Sequence, residues 1–136
     1  MNDHSAPASL RDRGALGATV RDALERLRLA AGALPSDGPF TPRVASFPIT
    51  DPDLPLARVD LTVGRAPSVP GAAGPARCYL DVRVVTAGEG TASSQFVALA
   101  PTAELVARLA EPTALVDAVL TSLDAACASM RRHGLR

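Results

Sequence analysis

Residues 57–63 read ARVDLTV and residues 78–85 read CYLDVRVV. Both runs alternate apolar and polar positions, the pattern of a half-buried strand. Side chains alternate across a strand, so Val59, Leu61 and Val63 share one face, as do Cys78, Leu80, Val82 and Val84 of the second run. Setting Val59 opposite Val84 places Asp60 opposite Arg83 and Thr62 opposite Asp81. Opposite charges then become cross-strand neighbours, each pair contributing about 0.2–1 kcal/mol. The two runs therefore predict an antiparallel pair with an aliphatic face under helices and a row of charges outside. On the plainest reading that row is a solvated, self-neutralised surface. The functional alternative is a docking surface made of Arg58, Tyr79 and Arg83, since Arg and Tyr are favoured at interfaces.

Working outward, the two strands span about 56–64 and 77–86. The turn Gly88-Glu89-Gly90 leads to a third strand over about 94–100. Upstream, RVASFPI (43–49) alternates Ala45, Phe47 and Ile49. Pro48 has no amide hydrogen, which limits this run to an edge strand or extended segment. Residues 1–8 read as a disordered tail and 9–136 as one domain. A firm helix is predicted from Thr19 to Ala33, with a looser extension back to Ser9; Ser9 and Thr19 each open a possible capping box. Leu16, Val20, Leu24, Leu27, Ala31 and Leu34 form its stripe, and Arg21–Glu25 and Asp22–Arg26 are spaced to pair. Gly32, Pro35 and Gly38 end it. The stripe is close to heptad spacing, so Leu16, Val20, Leu24, Leu27 and Leu34 are a candidate dimer seam; the alternative is that they cover the sheet. After Pro101-Thr102 comes a short helix, AELVARLA, that stops before Pro112. Thr113 opens a last helix striped by Leu115, Val116, Val119, Leu120, Leu123, Cys127 and Met130. Arg131 and Arg132 suit the negative end of its dipole, and Gly134 suits its C-cap. The fold class is α+β: a helix, an edge segment, a three-strand meander, then two helices packed on one sheet face.

Composition narrows the class of protein. Of 136 residues 47% are hydrophobic, yet there is no Trp, one Tyr and three Phe, so the core is aliphatic and Ala-rich. All 14 basic residues are Arg and balance 14 acidic ones, which leaves no overall field to attract nucleic acid or an anionic membrane. The Ala, Gly, Pro and Arg bias matches a GC-rich bacterial genome. Two cysteines make no disulfide framework. With no secretory signal and no apolar run long enough to span a bilayer, the expectation is a cytoplasmic protein.

Groups for chemistry are sparse. His4 lies in the tail and His133 after the last helix, and Cys127 and His133 are six apart, on different sides of a helix. Cys78 and Cys127 read as small core residues. Asp51-Pro52-Asp53 reads as a turn and not a calcium loop. TAGEGT (86–91) lacks the Gly-Lys-Ser/Thr ending of a phosphate loop and leads into a strand, so it reads as a hairpin turn. Glu104 and Glu111 read as solvated surface. No spacing calls for a metal or cofactor, and no constellation fits an enzyme site.

The segment from Val82 to Arg132 runs from a hairpin strand (Val97-Ala98-Leu99-Ala100) into Pro101, a turn of helix from Thr102, and an Ala-rich helix from Leu115 to Met130. In this it resembles the second half of the YbaB-like nucleoid-associated family. The preceding long helix and three strands agree in order. The resemblance implies a homodimer that binds DNA with little sequence preference. The chain departs from it in having Ala100 before the proline, no Lys-rich first helix, and extra segments at 35–55 and 66–76. Zero net charge weakens the counterion release behind non-specific DNA binding, so no DNA-contacting residue carries over. The expectation is a non-enzymatic binding or assembly module that self-associates, with a protein partner and no membrane. A nucleoid-associated DNA binder and a phage-tail or secretion-system accessory component are the alternatives.

Overall fold

The computed structural model describes residues 7–31, 41–66, 77–88 and 90–133. The elements run β1 (Ala8–Ser9), α1 (Arg13–Ala31), β2 (Arg43–Thr50), β3 (Leu56–Arg65), β4 (Arg77–Thr86), β5 (Thr91–Pro101), α2 (Thr102–Ala110) and α3 (Thr113–Arg132). The strands form one five-stranded sheet in the order β1-β2-β3-β4-β5. The class is α+β, as expected, but the sheet is larger than a three-strand meander. β2 is a full strand, paired antiparallel with β3 from Arg43 to Pro48. Pro48 is tolerated because, among the described residues, the far side of β2 is met only by β1, which pairs in parallel at Ile49 and Thr50. Ala8 and Ser9 therefore belong to the sheet and not to a tail; residues 1–6 lie outside the described residues. With four antiparallel strands after α1, the element order has one more strand than the nucleoid-family resemblance implies.

The central register is the one the charges dictate: Val59↔Val84, Asp60↔Arg83 and Thr62↔Asp81. All three helices pack on the face formed by Val59, Leu61, Val63, Leu80, Val82 and Val84, which are buried with them in one cluster. The hairpin at 86–90 closes as expected, the Thr86 N–H donating to the Gly90 carbonyl at 2.8 Å.

α1 starts earlier than propensity indicates. Its cap is Asp12, whose Oδ1 accepts the Ala15 N–H at 3.1 Å, and neither Ser9 nor Thr19 serves. Gly14 and Gly17 are carried in this first part because packing, more than propensity, holds a helix. Leu16, Val20, Leu24 and Leu27 are all within 1% of full burial in the chain's own core. The dimer-seam reading is corrected accordingly: four of its side chains are already covered by the sheet and by α2 and α3, and Leu34 lies outside the described residues, as do the stop signals after Ala31. Glu25 pairs with Arg28 at 2.6 Å and not with Arg21, whereas Asp22 and Arg26 approach to 3.9 Å.

α3 has the length and apolar composition to cross a bilayer, contrary to the sequence reading. Its apolar stripe, Leu115, Val119, Leu123, Cys127 and Met130, is nevertheless buried within the fold. The end of α3 is tied down by an unforeseen contact. Asp51 does sit in a turn, but its side chain is fully buried and accepts from Arg131 at 2.6 Å, with Arg11 at 3.5 Å. One carboxylate thus joins the β2–β3 corner to both the β1–α1 junction and α3.

Candidate interaction surface

Among the described residues, the other sheet face carries no helix. Across β2, β3, β4 and β5 its rows read Val44–Thr62–Asp81–Phe96 and Ser46–Asp60–Arg83–Ser94, with Gly64–Tyr79–Leu99 beside them. Tyr79 lies flat over Gly64: a Cβ at Gly64 would come within 2.3 Å of the tyrosine hydroxyl and 2.5 Å of Cζ. Only glycine leaves room for the ring there. From that position Tyr79 stacks on Phe96, with centroids 4.8 Å apart and planes 23° apart. Phe96, Val44 and Leu99 are 61%, 58% and 41% exposed. Phe96 and Leu99 surround the tyrosine on the β5 side of the face.

The charges are arranged differently from the cross-strand pairs expected. Asp60 accepts from Arg58 of its own strand at 3.0 Å and from the Ser46 hydroxyl at 2.6 Å. Asp81 is 4% exposed although it lies on the open face, and the Ser94 hydroxyl donates to it at 3.1 Å. Arg83 is exposed, with no ion pair among the described residues. Of the three docking residues read from sequence, the structure brings Tyr79 and Arg83 onto one open face and shows Arg58 engaged with Asp60. Sequence reading missed Phe96 and Leu99. The β4–β5 register slips between Leu80 and Asp81, so Val97 is an extra residue in β5. That bulge shifts the alternation, putting Phe96 and Leu99, odd-spaced in sequence, on the same face.

Among the described residues β5 is also an open edge of the sheet, the last in its strand order. Between it and α3 runs an open groove of about 340 Å³, lined by Gln95, Phe96, Val97, Asp117, Thr121 and Ala125, among others. At its floor the buried Ser122 hydroxyl donates to Gln95 Oε1 at 2.8 Å.

The groups considered for chemistry stand apart from this face. Cys78 and Cys127 are buried free thiols. Burial pushes the Cys127 thiol up, against a smaller opposing effect of Arg131. Cys78 Sγ sits 3.1 Å from the Thr102 hydroxyl. His133 Nδ1 meets the Ser129 carbonyl at 2.8 Å, and His4 lies outside the described residues. Glu104 pairs with Arg108 and Glu111 is exposed. Among the described residues no group of three or more His, Cys, Asp or Glu side chains is placed to hold a metal ion. Comparison with protein-family models, with curated proteins and with solved structures gives no match to this chain.

Proposed function

We propose that this chain is a non-enzymatic binding and assembly module whose first partner is a second copy of itself, met on the β5 side of the open sheet face. The observation that carries this reading is the stack of half-buried Tyr79 on exposed Phe96, with exposed Leu99 beside it. Aromatic residues make up only 3% of the chain, and two of them form a platform on its surface instead of filling the core. Tyrosine and phenylalanine are enriched at interfaces for the area they bury at low entropic cost. Charge permits a like partner: the chain is neutral overall, and the face carries Arg58 and Arg83 alongside Asp60 and Asp81. Two copies meet without net repulsion.

The test is analytical ultracentrifugation of the wild type and of Phe96→Asp, which sets a carboxylate beside Asp81. A dimer that Phe96→Asp dissociates is the expected result. A wild type that stays monomeric over the accessible concentration range refutes the reading. Retention of DNA in a gel shift, with the steep salt dependence of phosphate contacts, replaces it with a nucleic-acid function.

A further inference from the structure

Resting on that reading, we infer that two copies join edge to edge: β5 pairs antiparallel with β5 of a second copy about a two-fold axis at Gln95, making one continuous sheet. β5 is 11 residues long, TASSQFVALAP, and contains no charged residue. Natural edge strands are usually kept short, charged, broken by proline or covered. The opposite edge follows that rule, with Pro48 inside β2 and β1 laid along its end. β5 has bulges at Ala92 and Val97. The residues between them, Ser93–Phe96, form a regular stretch for pairing.

Geometry selects the register and the occupant. Partners in an antiparallel ladder point to the same face, so a self-paired strand must place its two-fold on a residue that faces its own copy. Centring on Gln95 sets Ser94 beside the partner's Phe96 on the open face. Each stacked Tyr79–Phe96 pair then lies at the seam. On the other face α3 runs antiparallel to β5: Ala92 packs near Cys127 and Met130, Gln95 reaches Ser122, and Phe96 and Val97 line the groove with Asp117 and Ala118. The same two-fold therefore lays α3 antiparallel to its copy, centred near Ser122. The flank it presents is narrow, with Ala118, Thr121 and Ala125, so the helices can approach closely. The two ends of α3 carry exposed charges of opposite sign, Glu111 just ahead of its N-terminus and Arg132 in its last turn, while Asp124 between them is paired within the chain with Arg13 at 2.8 Å. Antiparallel copies set Arg132 against the partner's Glu111 corner; a parallel pair sets like against like. This charge complementarity is what assigns the edge to a second copy and not to an unrelated peptide.

The experiment uses the full chain. Facing residues of an antiparallel pair have Cα atoms about 4.5–5.5 Å apart, within disulfide reach. Gln95→Cys is expected to give a disulfide-linked dimer under mild oxidation, while Arg83→Cys, on β4 one strand in from the edge, stays unlinked. The native thiols are buried and do not compete. Thr121→Arg, on the helix flank and off the open face, is expected to lose the dimer while its far-UV circular dichroism stays that of wild type. A dimer that links through Arg83→Cys, or that survives Thr121→Arg, overturns edge pairing alone and leaves self-association standing. A monomeric wild type overturns both.

Discussion

Replacing Gly64 with alanine separates two roles of the platform, its stability and its shape. The new Cβ would fall 2.3 Å from the Tyr79 hydroxyl oxygen and 2.8 Å from Cε2, closer than carbon and oxygen tolerate. The backbone is held by β4 at Gly64 and by β2 up to Val63, so the ring must move. Swinging it off Gly64 breaks the 4.8 Å stack on Phe96, a loss of about 0.5–1.5 kcal/mol. Against this, alanine reduces the freedom of the unfolded chain by about 0.4–1 kcal/mol. The two nearly cancel, so the net change stays within about 1 kcal/mol and Tm moves by only a few degrees. The spectroscopic effect is not small. Tyr79 is the only tyrosine and there is no tryptophan, so tyrosine fluorescence and the tyrosine band in near-UV circular dichroism report this ring alone. The expected result is a clear loss of that band and easier acrylamide quenching at nearly native stability. An unchanged band with an unchanged Tm would show that Tyr79 does not lie over Gly64.

Three further outcomes test other contacts. Arg131→Met leaves the fully buried Asp51 carboxylate with Arg11 at 3.5 Å and is expected to cost about 2–3 kcal/mol, whereas Asp51→Asn removes the buried charge, releases the half-exposed Arg131 to water and leaves Arg11 paired with Asp53 at 2.6 Å, costing about 1 kcal/mol; urea melts giving the reverse order refute the buried-carboxylate account. Asp12→Ala is expected to destabilise the fold by about 1 kcal/mol through loss of the α1 cap, with Ser9→Ala and Thr19→Ala each costing less, as thermal melts will show. Burial holds the proton on Cys127 above the usual thiol range, so the unfolded state ionises first; stability falls as pH rises beyond about 8.5, and Cys127→Ala should flatten that slope in melts on either side of it.

Much of the architecture was legible because one signal was repeated. Val59, Leu61 and Val63 against Leu80, Val82 and Val84 fixed a face, and the charges between them fixed the register, since a one-residue slip turns every side chain over. The helical stripes were legible for the same reason, from Leu16 to Ala31 and from Leu115 to Met130. What the stripe of α1 faces was not: heptad-like spacing fits a partner helix or a sheet equally well, and only the tertiary fold decides. The cap was missed because Asp12 stands next to Ser9 and ahead of two glycines, where propensity favours a later start. Asp51 was missed because nothing in a Pro-flanked turn announces that its carboxylate will be buried 80 residues away from Arg131.

The surface reading failed in an instructive direction. Charged side chains announce themselves in a sequence, so function was attached to Arg58 and Arg83. In the fold, Arg58 and Ser46 satisfy Asp60, an ion pair worth a few tenths of a kcal/mol, and the Ser94 hydroxyl donates to the buried Asp81. What remains at the β5 side is apolar and lies beside an uncharged edge. Its phase is set by one inserted residue, Val97, whose presence no periodicity reveals because a bulge breaks the period it would be read from. An edge of 11 residues without charge or proline until its end is a liability for an isolated chain. A second copy that covers it turns the same feature into the specific contact, which is why the assembly hypothesis rests on β5 and not on the ionic row.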